Sequence, residues 1–477
     1  MGLTITSTNA LSLLHIVNKR SDDLANTMLQ LSTGLRINKA SDDPAGLIAY
    51  ELLGADLTAA NAALDNAERA DAMLSVAEGG LAEVSALLIE IETLVVASAS
   101  SGGLTSSEIA ANQAQIDAAI ASIDRIVTTT TFNGKQLLNG SQAIQAVVPT
   151  VNTINALNVF TRSQSTSDIE ITASVDTTAA VARGTLFTLS ESGTLFANTD
   201  IEVSGALGSK TINLTAGMNE AAIVAAINNA SAETGVTTDI SGSGVDLVST
   251  GVGSDQFVEV IVLSGDGNLS GSGSMTSGIT RTEGTDAVVT LNGQQVTADG
   301  TEVFYSAGGL SLSFSLGTSF DEAGEATVFT VKAAGGLTFQ LGTTATTRST
   351  IGISSLSAGH LGGADAGGVL SQLVSSGDFA VSKDKAESVA IVRAAIEDVA
   401  VARGRIGGFQ KYQVQSSINS LNATAEGLTA ARSTIGEVDF AAATAALNKQ
   451  SVLMEAGIAM LGISNAQGAR LLSLLGV

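Results

Sequence analysis

Apolar residues recur at steps of three and four along both ends of the chain. The first such run holds Leu14, Val17, Ser21, Leu24, Met28, Leu31 and Leu35, one face of a helix with a heptad period. A second holds Leu74, Ala77, Leu81, Val84, Leu88, Ile91 and Val95, and a third Ile109, Ile116, Ile120, Ile123 and Val127. Toward the other end, Val389, Val392, Ile396 and Val399 are followed by Val414, Ile418, Leu421, Ala425, Leu428 and Ile435. The last run is Leu447, Met454, Ile458, Leu461, Leu472 and Leu475. A period near 3.5 residues predicts helices that pack almost parallel or antiparallel, with a left-handed sense. Because both ends carry these runs, the simplest architecture pairs N-terminal with C-terminal helices and loops the middle out as an insertion.

The middle follows a different period. Ile201–Gly205 and Lys210–Thr215 read as a hairpin, and Thr237–Ile240 with Val245–Thr250 as a second. Between them Asn219–Ser231 reads as a short helix, with Asn219 as N-cap and Glu220 in the first turn. Ala287–Leu291, Leu310–Leu316 and Thr327–Ala333 are further strand candidates, separated by Gly/Ser/Asp loops. Residues 141–380 contain 32 of the 51 glycines. They predict one or two small α+β or all-β domains. The expected class is therefore α+β: a long helical coiled-coil bundle from the terminal segments with a β-rich central insertion.

Charge sharpens this division. The net charge is −24, and the middle, with 6 Lys/Arg against 22 Asp/Glu, supplies most of it. Residues 2–18 contain no Asp, Glu, Lys or Arg, and residues 441–477 only Lys449, Glu455 and Arg470. A helix with apolar and small side chains nearly all round is usually buried on several sides. A two-helix hairpin burying its own seam is the plain alternative. The expectation preferred here is that the ends find their cover on neighbouring copies, forming a homo-oligomer.

Candidate chemistry is sparse. With no Cys and two His, thiolate sites, Ser/His/Asp chemistry and His-based metal sites have almost no material. Gly208–Thr211 (GSKT) has Ser209 where a phosphate loop needs its second glycine. Asp266, Asn268, Ser270 and Gly271 resemble half a calcium loop, but Ser277 stands where the bidentate Glu is needed. His15 and His360 read as ordinary packed or solvated residues. Asp42 and Asp43 read as a helix start ahead of Pro44. No catalytic residue, cofactor or metal site is expected. Nucleic acid is excluded as a general partner because its affinity rests on Lys and Arg. No run of 18 apolar residues occurs, so no membrane span is expected. The first cations are Lys19 and Arg20, unlike a signal peptide of the usual design. Gly2 and Thr6 match a myristoylation pattern too loose to weigh.

Leu31–Gly46 (LSTGLRINKASDDPAG) resembles the signature stretch of bacterial flagellins, and Ile123–Gly140 the segment that closes their N-terminal helical region. Ser433–Val477 is similar to their C-terminal tail, and residues 199–263 resemble the small β-rich IN module of some flagellins and hook-associated proteins. The resemblance implies a filament subunit, exported through the flagellum's own channel without a cleaved signal and left extracellular. The partners it implies are other copies, the flagellar export apparatus, an export chaperone, and the filament cap and hook-junction proteins. It implies an inner helix and signature loop at 1–45, helical rods at 46–140 and 381–440, the outer insertion at 141–380 and a second inner helix at 441–477. The subunit-packing residues are then Leu11, Leu14, Leu24, Met28, Leu31, Leu35, Leu447, Met454, Ile458, Leu461, Leu472 and Leu475. The rod core is Leu74, Leu81, Val84, Leu88, Ile91, Ile116, Ile120, Ile123, Val389, Val392, Ile396, Ile418, Leu421 and Leu428. Glu90 and Glu92 stand where many flagellins carry arginines read by a vertebrate Toll-like receptor, which implies weak recognition. The alternatives are a hook–filament junction protein of the same family, or a surface adhesin carried by the central domain.

Overall fold

A computed structural model describes residues 8–99, 105–148, 154–162, 167–188, 194–241, 244–265, 268–269, 273–274, 279–317, 323–344, 346–363, 367–383 and 385–474. Their helices are α1 (Thr8–Thr33), α2 (Pro44–Ala99), α3 (Ser106–Thr129), α4 (Glu220–Asn228), α5 (Ser231–Thr234), α6 (Lys385–Phe409), α7 (Gln415–Gly436) and α8 (Phe440–Leu474). The chain divides into two compact units. One comprises residues 1–70, 340–347 and 412–477, and the other residues 71–339 and 348–411.

Local chemistry sets the helix starts. Pro44 opens α2, and the Asp43 carboxylate just before it accepts from Gly46 N–H at 2.9 Å. At α3 a capping box forms: Glu108 N–H donates to the Thr105 hydroxyl oxygen, and Thr105 N–H donates to the Glu108 carboxylate at 2.6 Å. Along α2 the buried positions are Ala60, Ala63, Ala67, Ala70, Leu74, Ala77, Leu81, Val84, Leu88, Ile91, Val95 and Ser98, an unbroken heptad seam. On α3, Gln113 takes a seam position among isoleucines. Its amide donates to Leu373 O at 2.7 Å and accepts from Val381 N–H at 3.0 Å, so the buried group is satisfied.

On α6 the seam is shifted from the expected one. Ser388, Ile391, Val392, Ala395 and Val399 are buried, while Val389 and Ile396 are only half-buried. The pattern favoured large apolar residues, whereas the contact uses a serine and an alanine on the neighbouring phase. From Phe409 the next buried position is Val414, one residue beyond the heptad step of four. The π-helical turn Gln410–Val414 takes up that extra residue.

The β-rich region has two cores. One lies between two five-stranded sheets. Their strand orders are Gln294–Thr297, Val288–Leu291, Ile169–Thr177, Ala326–Gly335, Ile144–Val147, and Glu302–Ala307, Leu310–Leu316, Ile154–Arg162, Arg348–Ile351, Leu337–Gln340. Phe314 and Phe329 meet edge to face at 5.8 Å inside it. The second core joins a three-stranded sheet, a four-stranded sheet, α4 and α5. Here Thr199–Gly205 pairs with Gly208–Leu214, and Val236–Ser241 with Gly244–Val252, both antiparallel. The Asn219 side chain caps α4 by accepting from Ala222 N–H at 3.0 Å. GSKT lies in the first of these hairpins, with the Lys210 ammonium bonded to Glu233, so it forms no phosphate loop.

A carboxylate joins the two cores. Asp286 accepts from Ser254 N–H at 2.7 Å, the Ser254 hydroxyl at 2.6 Å and Gly300 N–H at 2.9 Å. Those bonds hold its pKa below the ordinary carboxylate value, the Ser254 hydroxyl contributing most. Asp200 is lowered by Ser264 and Asn213, and Asp168 by the Ala333 N–H and Lys332. Groups lowered on folding stabilise the fold above their unfolded pKa of about 3.9, and that contribution is lost as pH falls through the folded values. The melting temperature of the β-rich region should therefore hold steady from neutral pH to about pH 4.5 and fall below it. Asp286→Asn should melt lower at pH 7 and lose less on acidification; an equal acid loss in both proteins would contradict this assignment.

Candidate assembly surface

Within the first unit, α1 and α8 pack antiparallel. The Thr27 hydroxyl lies 2.9 Å from Gln450 Oε1, and a Cβ on Gly457 would lie 3.1 Å from Val17. The partly or fully buried positions on α1 include Leu13, Val17, Arg20, Leu24, Thr27 and Leu31, followed by Gly34 just past its end, and on α8 Ala443, Leu447, Gln450, Met454, Gly457, Leu461 and Ser464. Both series step by four and three. The expected run on α1 shares Val17, Leu24 and Leu31 with this seam, but Leu14 and Met28 are exposed along with Leu11. On α8, Leu447, Met454 and Leu461 lie in the seam, and Ile458 is exposed while Gly457 takes the seam position. Leu35 is half-buried and bridges to Glu437. The Leu472 side chain and Leu475 lie outside the described residues.

The pairing thus covers one stripe of each helix and leaves another. Leu11, Leu14, Ile16 and Met28 on α1 remain in water, as do Phe440, Val452, Leu453, Ile458, Met460 and Ile463 on α8. Val452 and Ile463 are 65% and 60% exposed, and with Ala456 and Ala459 they form an apolar stripe on the far side of α8. Ile48 and Leu52, one turn apart on α2, add a further exposed pair. Ten large apolar side chains on two paired helices exceed the scattered exposure normal for a monomer.

A tight joint sets where α8 departs from α7. Gly34, with φ of +73°, ends α1, and the chain then runs beside residues 435–438. Arg36 N–H donates to Gly436 O at 2.7 Å, Val438 N–H to Gly34 O at 3.0 Å, and the Arg36 guanidinium to Ile435 O at 2.6 and 3.1 Å. A cation at a helix C-terminus satisfies its last carbonyls and its dipole. Downstream, Asp42 accepts from Asn38 and Lys39 N–H, closing the signature loop on itself. Beside the joint the Arg432 guanidinium stacks 4.3 Å from the Tyr50 ring, and Gly436 lies against that ring's edge.

In the second unit Leu74, Leu81, Val84, Leu88, Ile91, Ile116, Ile120, Ile123 and Val392 are buried. In the first unit Ile418 and Leu421 are buried and Leu428 half-buried. Ion pairs flank the second unit's helices: Glu78 with Arg403 at 2.7 Å, and Glu92 with Arg393 at 3.2 Å. A 270 Å³ cavity in this unit is lined by Asn158, Phe160, His360, Asp398 and Arg405 among others. Arg405 stacks 3.3 Å from the Phe160 ring, and burial pushes its pKa down to about 10, against the pull of Glu302 and Asp398. It stays charged at neutral pH. His360 Nδ1 lies 3.0 Å from the Ser357 hydroxyl. Among the described residues no helix is long and apolar enough to cross a membrane.

Residues 5–143 match the bacterial flagellin N-terminal helical region, and residues 389–475 the bacterial flagellin C-terminal helical region. The B-type flagellin of Pseudomonas aeruginosa PAO1 is 29% identical over 529 aligned residues that span 100% of both chains. Flagellin of Salmonella typhimurium is 27% identical over 99% of each chain. Flagellin of Clostridium tyrobutyricum is 25% identical over 95% of this chain and 96% of its own.

Two glycines of α7 separate packing from propensity. A Cβ on Gly436 would lie 2.2 Å from the Tyr50 ring, whereas one on Gly427 meets nothing within 4 Å. Gly436→Ala should destabilise the first unit by about 1–3 kcal/mol through overpacking. Gly427→Ala should stabilise it by about 0.5–1 kcal/mol, because alanine is the better helix former. Denaturant unfolding followed by amide hydrogen exchange in α7 and α8 measures both, and shifts of the same sign would contradict the geometry.

Proposed function

Because the chain belongs to the bacterial flagellin family, we propose that it works by packing alone, as a structural subunit whose paired end helices knit neighbouring copies into the extracellular flagellar filament. The observation that carries this reading is the second apolar stripe of α1 and α8, left in water after the two helices have paired. Burying those ten side chains at about 1 kcal/mol each, below the full value for a large apolar residue, gives on the order of 10 kcal/mol. That is comparable with the ~4–15 kcal/mol cost of immobilising a subunit. Each copy in a filament meets several neighbours, so the stripe is covered from more than one side. A charged side chain is expensive at such a contact, which accounts for the near absence of charge in residues 2–18 and 441–477.

In this reading residues 1–45 and 441–477 form the inner layer of the filament. Residues 46–140 and 381–440 form a rod around it, and residues 141–380 face the medium, with 199–263 as an IN-type module. The acidic middle suits that exposure, since like charges on crowded outer domains keep them solvated and apart. The partners are further copies, the export apparatus and its chaperone, the cap under which subunits add, and the hook-junction proteins at the base. Catalysis has no part in this mechanism.

Two positions one turn apart on α8 separate packing within the chain from packing between copies. Ile458 is 53% exposed in the single chain, whereas Leu461 lies in the intrachain seam. Ile458→Asp should leave the helical content and melting of the soluble chain unchanged and abolish elongation on filament seeds. Leu461→Asp should weaken the α1–α8 pair and elongation together. Sedimentation with negative-stain microscopy, beside circular dichroism, measures both effects. Normal filaments from Ile458→Asp would contradict the role given to the outward stripe.

A further inference from the structure

Where the strand Ile154–Arg162 meets α6, the second unit encloses a cavity of 270 Å³. One wall is a single face of α6, on which Asp398, Ala402 and Arg405 follow one another at steps of four and three. The facing wall holds Asn158 and Phe160, two residues apart on the strand, and residues 352–356. These walls are tied down by bonds of their own. Gly352 N–H donates to Phe160 O at 2.6 Å, Ala358 N–H to the Asp124 carboxylate at 2.9 Å and Gly362 N–H to the Asp398 carboxylate at 3.0 Å. The Ser354 hydroxyl donates to Asn158 Oδ1 at 3.1 Å. The cavity is therefore pre-formed, as small-molecule sites usually are.

Arg405 stands apart from the other arginines of α6. Arg393 is paired with Glu92 and Arg403 with Glu78, whereas among the described residues Arg405 takes part in no ion pair or hydrogen bond. Its guanidinium carbon sits 3.3 Å from the centroid of the Phe160 ring. That contact offsets part of the lost hydration and leaves the N–H donors to be satisfied from the cavity. Burial has already lowered the pKa of this group to about 10, and an acceptor offered in such surroundings is worth more than one in water.

The lining restricts which acceptor fits. A guanidinium fork matches a planar carboxylate through two parallel hydrogen bonds. Asp398 lines the same cavity, and both it and Glu302 act on Arg405, so a monoanion is tolerated and a phosphate dianion is repelled. Asn158, Ser354 and Ser355 add neutral donors and acceptors, and the Asp398 carboxylate takes hydroxyl protons. A volume of 270 Å³ holds about nine waters at ~30 Å³ each, or one ligand on the order of ten non-hydrogen atoms. We propose that this cavity binds a small hydroxylated monocarboxylate, a sugar acid, with Arg405 forking its carboxylate and Asp398, Asn158 and Ser354 engaging its hydroxyls. The bound acid bridges α6 to the strand Ile154–Arg162 and stabilises the second unit by mass action. Since α1 and α8 lie in the first unit, the site stands independently of the filament reading.

Isothermal titration calorimetry on the soluble full chain tests this, with glucuronate, galacturonate and gluconate as probes and thermal melting beside it. At least one of the three should bind with a Kd of about 1 mM or tighter and raise the melting temperature. Galactose lacks the carboxylate, acetate lacks the hydroxyls, and inorganic phosphate carries the wrong charge; each should bind at least about tenfold more weakly. Arg405→Gln should weaken binding at least about tenfold, and Arg405→Lys, which keeps the charge without the fork, should fall between. Ala402→Leu fills the cavity and leaves Arg405 in place, so it should abolish binding even where Arg405→Gln fails to fold. Silence from all three acids would overturn the proposal, as would galactose or phosphate binding as tightly as they do. Undiminished binding in Ala402→Leu, or in folded Arg405→Gln, would place the acid elsewhere and overturn it equally.

Discussion

The antiparallel pairing of α1 with α8 is the constraint on which the rest depends. It joins segments more than 400 residues apart, as the contact of Thr27 with Gln450 illustrates. Once the two ends must meet, everything between has to leave the helical part and come back, and a large insertion can be carried there. The same pairing decides which apolar residues remain outside. A helix has room for one seam of roughly 100° to face its partner. When apolar residues run nearly all round, a second stripe is left over, as Leu11, Leu14 and Met28 are on α1 and Val452, Ile458 and Ile463 are on α8.

The helical seams are legible where large apolar residues fill nearly every position. Leu74 to Val95 is such a run, and each member is buried. Legibility failed where the packed position was small or polar. On α8 a glycine, Gly457, occupies the seam while the adjacent Ile458 points away, and on α6 Ser388 and Ala395 do the same beside Val389 and Ile396. A period computed from large side chains locates a helix well but fixes its rotation only to within about 100°, the angle of one residue. The polar contact of Thr27 with Gln450 in the first unit is not legible for the same reason, because neither residue reads as a seam residue. A partner pair at heptad spacing on both helices was the signal that could have exposed them.

Among the strands, those with strict alternation were read correctly, including Leu310–Leu316 and the hairpins of the second core. Ile154–Arg162 was not. Ala156 there has a positive φ of 48°, the pairing with Leu310–Leu316 shifts register, and Val159 and Phe160 are both buried in succession. Such an irregularity breaks the two-residue period on which the reading relies. Short polar strands such as Gln294–Thr297 carry no alternation at all, and their pairing is set by the Asn292–Gly293 turn, where both residues adopt positive φ. Among the described residues of the β-rich region only Arg162 and Asp246 are buried charges, and Asp286 ties one core to the other.

Cohesion between copies requires the two ends to act together as the adhesive part of the molecule. Seeded growth of the full chain beside a chain lacking residues 1–35 and 445–477 examines this most directly, with pelleting and negative-stain microscopy as the readout. Long tubes from the full chain and a monomeric trimmed chain, its β-rich region melting unchanged, are the predicted result. Filaments from the trimmed chain would contradict the account, because the stripe held responsible for cohesion would be missing from them.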